Sequence, residues 1–158
     1  MRFHNGNIFV NGRFVPGGFS VENGRFTHVL EETAEGEGTD LCGAYVIPGL
    51  VDIHTHGNSG ADFSDGDDDG LVKMAAYLAH CGVTSFAPAS AVLETAFRTA
   101  VRLHKAAPAG CARLMGIRME GPFFSEKKKG AQNAAYLRLP DYDAFARLYD
   151  AAEGLLRI

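Results

Sequence analysis

From Gly43 onward the sequence alternates between short apolar runs and stretches of helical periodicity, and that alternation leaves few folds open. Leu50-Val51-Asp52-Ile53, reached through Tyr45-Val46-Ile47-Pro48, reads as a buried strand. A glycine- and aspartate-rich loop follows from Gly57 to Gly70. Leu71, Val72, Met74, Ala75, Leu78 and Ala79 then recur at helical spacing. Asp67 to Asp69 sit where the positive helix end favours anions, and Gly82 is placed as a stop. Residues 83–87 predict the next strand, 92–105 a second helix with Val92, Ala96, Ala100, Val101 and Leu103 as its apolar positions, and 114–119 a third strand. Asp141 or Asp143 caps a third helix carrying Phe145, Leu148 and Tyr149, Gly154 ends it, and 155–158 read as a fourth strand.

Strand and helix alternating three times imply a parallel sheet with helical crossovers. A doubly wound open sheet and a (β/α)8 barrel both satisfy the pattern. A whole barrel takes ~250 residues. The 158 residues here hold three and a half units, so the expectation is either a small open sheet or a piece of a barrel.

The first part of the chain has a different texture. Asn11-Gly12 separates Asn7-Ile8-Phe9-Val10 from Phe14-Val15, and Asn23-Gly24 separates Phe19-Ser20-Val21 from Phe26-Thr27-His28-Val29. Asn and Gly both tolerate positive φ, so each pair suits a tight hairpin turn. Two hairpins rich in Phe and Val make a small sheet that buries little alone and needs a partner.

Composition narrows the function. A net charge of −4 with no basic stripe gives no reason to expect a nucleic-acid partner. No apolar stretch approaches the ~20 residues of a membrane span, and the first residues lack the apolar core of a signal peptide. Cys42, Cys81 and Cys111, odd in number and widely spaced, suit reduced thiols in a cytoplasmic protein.

Two features carry chemistry. Asp52, His54 and His56 are spaced by two at the end of the first apolar strand, a spacing that turns both imidazoles to one side. Imidazole binds Zn²⁺ and other borderline divalent metals, and the C-terminal rim of the strands is where α/β barrels keep their active sites. Glu120 ends the third strand before Gly121-Pro122, and a carboxylate there is costly to desolvate without a cation or donor. Either feature alone has a plain structural reading; at one rim of one sheet, a shared metal explains both. Asp62 and Asp65 read as loop carboxylates, and His4, His28, His80 and His104 as structural. No phosphate-cradling glycine loop and no serine-nucleophile elbow is present.

Pro48-Gly49-Leu50-Val51-Asp52-Ile53-His54-Thr55-His56-Gly57 resembles the first barrel strand of the amidohydrolase superfamily. Within it, Gly60-Ala61-Asp62-Phe63, Gly82-Val83-Thr84-Ser85-Phe86-Ala87-Pro88, Met119-Glu120-Gly121-Pro122-Phe123 and Lys128-Lys129-Gly130-Ala131-Gln132-Asn133 resemble, in order, segments of the N-acetylglucosamine-6-phosphate deacetylases. The resemblance implies that residues 1–47 belong to a small β-sandwich and 48–158 to the first three to four units of a (β/α)8 barrel, incomplete as given. It implies that His54 and His56 bind a divalent metal, Zn²⁺ or Fe²⁺, and that Glu120 can bridge to a second. It implies that Gly130, Ala131 and Gln132 face the substrate, with Gln132 where the family usually has a His that can carry charge. The implied reaction is hydrolysis of the acetamide of N-acetylglucosamine 6-phosphate, in a full-length homodimer. The acid–base Asp and further His ligands are expected beyond Ile158, so the chain by itself is expected to be inactive. The competing readings are a dihydroorotase-like or D-aminoacylase-like amidohydrolase, against which Glu120-Gly121-Pro122 argues, a truncated non-catalytic binding or assembly protein, and a small α/β binding domain.

Overall fold

A computed structural model describes residues 1–31, 38–90 and 94–157, which divide into two compact units, Met1–Pro48 and Gly49–Ile158. Val92, Ile158 and most of the acidic stretch before Asp40 lie outside the described residues.

In the first unit, β1 (Arg2–Val10), β2 (Arg13–Glu22) and β3 (Arg25–Glu31) form an antiparallel meander. Both hairpins turn as the dipeptides require: Asn11 and Gly12 have φ of 51° and 80°, Asn23 and Gly24 of 51° and 73°. Two short strands, β4 (Thr39–Asp40) and β5 (Tyr45–Val46), join the other side of β1 in parallel. Ring contacts hold the faces together, with Phe3 stacked on Phe19 at 4.7 Å and Phe14 edge-on to Tyr45 at 4.8 Å. Among the described residues of this unit, Ile8 and Phe19 are the buried hydrophobic side chains, while Phe26 and Tyr45 remain largely exposed. The sheet buries little by itself, as its size dictates.

The second unit opens with β6 (Leu50–Thr55), a two-strand hairpin of β7 (Gly57–Asn58) and β8 (Ala61–Asp62), and a 3-10 turn at Phe63–Asp65. There follow α1 (Asp68–His80), β9 (Val83–Ser90), α2 (Glu94–Ala106), β10 (Arg113–Leu114), β11 (Ile117–Met119), α3 (Tyr142–Ala151) and β12 (Leu156–Arg157). The strands pair in parallel in the order of the sequence: β6 on β9, β9 on β10 and β11, β11 on β12. The strand expected at 114–119 is thus two short pieces. They break at Met115-Gly116, where a Cβ on Gly116 would sit 2.7 Å from Arg157 Cγ and 3.1 Å from the Leu155 carbonyl oxygen.

The helices form where their caps and apolar spacing place them. Asp67 accepts from Gly70 N–H at 2.9 Å to cap α1, and Asp141, not Asp143, caps α3 through Ala144 N–H at 3.0 Å. Leu71, Met74, Ala75 and Leu78 of α1 and Ala96, Phe97, Ala100, Val101 and Leu103 of α2 pack with Phe86, Leu114, Ile117 and Leu148 into one core. The charged face of α2 is solvated, and it reaches its neighbours: Arg102 is bidentate to Asp68 of α1, and Lys105 pairs with Glu153 at 2.6 Å. Such exposed pairs stabilise by about 0–1 kcal/mol each.

One expectation fails. β6 is not buried: Leu50, Val51 and Ile53 are 51%, 64% and 64% exposed. The reason is its position at the edge of the sheet, paired with β9 alone among the described strands. The core lies on the helical face, and Leu50, Val51 and Ile53 are not part of it. Among the described residues no helix is long and apolar enough to cross a membrane.

Candidate metal centre

The C-terminal ends of three neighbouring strands converge. His54 lies within β6, His56 just after it, and Glu120 just after β11, with the end of β9 between them. Their ligating atoms all lie within 4.8 Å of one another. Glu120 Oε2 is the focus, 3.1 Å from His56 Nε2 and 3.5 Å from His54 Nε2. The two rings meet edge to face, with centroids 5.1 Å apart.

Backbone groups hold each member. The Asp52 carboxylate accepts from His54 N–H at 3.0 Å, bracing the strand end from which the imidazole projects. His56 Nδ1 lies 3.1 Å from the Ala89 carbonyl oxygen. A carbonyl can only accept, so Nδ1 carries a proton, and a neutral ring then presents its Nε2 lone pair to Glu120. The His56 carbonyl receives Phe63 N–H at 2.7 Å, and Glu120 N–H donates to the Ser90 carbonyl at 3.1 Å, continuing the ladder past β11. Gly57 lets β8 come close: a Cβ there would lie 2.2 Å from the Ala61 carbonyl oxygen.

Glu120 Oε2 is buried and has no hydrogen-bond donor. A carboxylate oxygen 3.1 Å from an imidazole lone pair is repelled unless positive charge lies between them. Two atoms bound to one tetrahedral Zn²⁺ at 2.0–2.1 Å sit about 3.3 Å apart, a separation that the 3.1 and 3.5 Å distances bracket. Two imidazoles and a carboxylate are also the donor types that Zn²⁺ and Fe²⁺ accept, so the residues fit a divalent cation.

The other candidates lie elsewhere. Asp62 accepts from Ser64 N–H at 2.7 Å, and Asp65 accepts from Asp62 N–H at 3.3 Å, so both serve their own turn. Gly130, Ala131 and Gln132 form a turn in which Lys129 Nζ donates to the Gln132 carbonyl at 2.7 Å. Among the described residues no hydrogen bond or ion pair joins that turn to the cluster. His104 is structural, with Nδ1 2.7 Å from the Leu114 carbonyl oxygen. Sequence reasoning missed the carbonyls of Ala89 and Ser90, since any residue type can present one. It listed Asp52 beside the histidines without its bracing role, for which the two-residue spacing was the available signal.

No protein-family model matches the chain. Individual proteins do. The N-acetylglucosamine-6-phosphate deacetylase of Bacillus subtilis (strain 168) is 36% identical over 72% of this chain and 30% of its own length. The protein of that name from Homo sapiens is 30% identical over 94% of this chain and 39% of its own length. A crystal structure of N-acetyl-D-glucosamine-6-phosphate deacetylase from Mycobacterium smegmatis matches with a TM-score of 0.79 at 26% identity, covering 99% of this chain and 42% of that one. The chain thus spans 30% to 42% of the length of these proteins. In sequence and in fold the chain is similar to a part of the N-acetylglucosamine-6-phosphate deacetylases.

Proposed function

We propose that His54, His56 and Glu120 hold a divalent cation, Zn²⁺ or Fe²⁺, one or two to the site. We propose further that the full-length protein hydrolyses the acetamide of N-acetylglucosamine 6-phosphate to acetate and glucosamine 6-phosphate. The observation that carries the first part is the buried, donorless Glu120 Oε2 with an imidazole lone pair 3.1 Å away. A second proton on His56 would also relieve that contact by making an ion pair. The His54 Nε2 on the same oxygen at 3.5 Å favours the metal, because one proton on His56 leaves this second imidazole without a role. A bound divalent cation supplies a Lewis acid and lowers the pKa of bound water toward neutrality.

The chain's own residues do the rest of what this end of the site needs. The Ala89 carbonyl fixes the His56 tautomer, Asp52 braces His54, and the Glu120 carboxylate neutralises positive charge at the focus. The substrate reading rests on the names of the relatives. The turn at Gly130, Ala131 and Gln132 is read as facing the sugar, where an amide at Gln132 can bond a hydroxyl without carrying charge. The proton for the leaving amine is read as coming from an acid outside these residues. No described carboxylate besides Glu120 joins the cluster, and so residues 1–158 alone are expected to turn over no substrate. Strand order that follows the sequence without reversal supports an arc of a (β/α)8 barrel over a doubly wound sheet, in which the order must reverse. The first unit is read as part of a small β-sandwich, and the assembled protein as a homodimer.

The test uses the full-length protein with His54→Ala and His56→Ala combined. Metal content by elemental analysis and acetate release from N-acetylglucosamine 6-phosphate should both collapse while the protein stays folded. Unchanged metal stoichiometry overturns the ligand assignment; preferential turnover of a cyclic amide such as dihydroorotate overturns the substrate.

A further inference from the structure

The geometry points to a hydroxyl pair, Ser64 with Ser90, as the element that sets the distances inside the metal centre; this inference rests on the metal reading above. Ser64 Oγ and Ser90 Oγ lie 3.1 Å apart. Ser90 is 1% exposed and Ser64 half-buried, so the contact is partly withdrawn from water. Each serine is tied to a candidate ligand. Ser64 follows Phe63, whose N–H is held by the His56 carbonyl at 2.7 Å. Ser90 accepts Glu120 N–H on its own carbonyl at 3.1 Å, and it follows Ala89, whose carbonyl holds His56 Nδ1 at 3.1 Å.

These contacts close a ring, from His56 to Phe63, Ser64 to Ser90 and Ala89 back to His56, and Glu120 is attached to it through the Ser90 carbonyl. Without the hydroxyl contact the ring opens at its one link between side chains. The loop carrying Phe63 and Ser64 then loses its direct side-chain tie to the end of β9, and the two groups whose separation is 3.1 Å are held less firmly. Neither serine touches the ligating atoms in any described contact, so both are positioning residues. Groups of this kind change metal affinity by 10–100-fold in other sites.

Stability and affinity separate the positioning role from a merely structural one. Removing the Ser64 hydroxyl leaves the buried Ser90 hydroxyl without this partner, whereas removing both leaves no orphan and is nearly neutral for folding. In full-length protein, Zn²⁺ affinity is measured by competition with a chromophoric chelator, alongside chemical denaturation. Ser64→Ala and Ser90→Ala should each weaken Zn²⁺ binding about tenfold and lower stability. The double variant should regain stability and yet stay about tenfold weak in Zn²⁺. Ser64→Thr, which keeps a hydroxyl at the half-buried position, should restore affinity, and it decides the matter with Ser64→Ala alone if Ser90→Ala does not fold. A double variant with wild-type affinity, or single variants that bind as the wild type does, overturns the inference. If the wild type itself binds no Zn²⁺, the metal reading falls first and this one with it. If the combined His54→Ala/His56→Ala variant loses Zn²⁺ while the serine variants keep it, only this inference falls.

Discussion

Gly57 offers a test of how the backbone carries the candidate centre, because a single methyl group there has one place to go. A Cβ would lie 2.2 Å from the Ala61 carbonyl oxygen and 2.9 Å from Asp62 Cα. Ordinary contacts between such atoms lie near 3.5 Å, so one strand of the β7–β8 hairpin must retreat by about 1 Å. The β8 side is anchored through Phe63, which is 2% exposed in the core. The yielding side is therefore Gly57 and its neighbour His56, which also accepts Phe63 N–H at 2.7 Å. Overpacking of this kind costs about 1–3 kcal/mol. A ligand displaced by a large part of an ångström loses much of its bond, so Zn²⁺ affinity in Gly57→Ala should fall about 10–100-fold. Gly60→Ala is the control. Gly60 has φ of 78° and nothing near its missing Cβ, so substitution costs about 1–2 kcal/mol of strain but leaves affinity unchanged. Chemical denaturation and chelator competition on the two variants read both quantities. A Gly57→Ala protein of wild-type affinity, destabilised by less than about 0.5 kcal/mol, would show that the hairpin moves outward freely and that the His56–Phe63 link does not position the imidazole.

Phe97 is 0% exposed in the first turn of α2, so Phe97→Ala should cost about 3–5 kcal/mol in denaturant unfolding, whereas Tyr77→Ala at a 49% exposed position should change little. Asp40 contributes a pH dependence to the first unit. The Cys42 backbone N–H, and after it the Asn5 amide, bond the ionised carboxylate at 2.8 Å each and hold its pKa below the ordinary 3.8. A depressed carboxylate contributes stability that is complete above the unfolded pKa and lost as pH falls through the folded value. Asp40→Asn cannot ionise, so the two proteins should differ most near neutrality and converge as pH falls through the lowered pKa of Asp40. Denaturation midpoints at several pH values give the curves, and a gap that widens on acidification contradicts the assignment.

The elements that follow from local rules were legible. Asn-Gly turns require positive φ, and they gave both hairpins; Asp67 and Asp141 capped their helices because a carboxylate before a helical run has orphan N–H groups to accept from. His54, His56 and Glu120 could be singled out as candidates because ligand chemistry belongs to a few side-chain types and strand spacing says which way they project, and the structure brings the three together. Their positioning was not legible. It depends on the Ala89, Ser90 and His56 carbonyls and on a serine pair 26 residues apart, and none of these differs in sequence from an ordinary backbone or an ordinary serine.

The error over β6 has a different origin and says more about the protein. An apolar run such as Leu50-Val51-Asp52-Ile53 reports the burial that a strand requires, not the burial that a given set of neighbours supplies. Here α1 and α2 cover the core face, and Leu50, Val51 and Ile53 remain more than half exposed. A strand edge with such side chains and unpaired backbone groups is unstable in water and favours pairing with another element. The two histidines stand at the end of that same strand, so whatever covers β6 also bears on the rigidity of the candidate centre. With β6 uncovered, the bond from Asp52 to His54 N–H and the ring through Ser64 and Ser90 are what hold the imidazoles, and Zn²⁺ affinity should depend on them most steeply when the edge is open. Covering the edge would add β-ladder bonds on the second side of β6 and lessen that dependence. The comparison is direct: the Ser64→Ala affinity loss, measured in residues 1–158 alone and in the full-length protein, should be larger in the shorter chain. Equal losses would show that the histidines are held by their local contacts and that the edge plays no part.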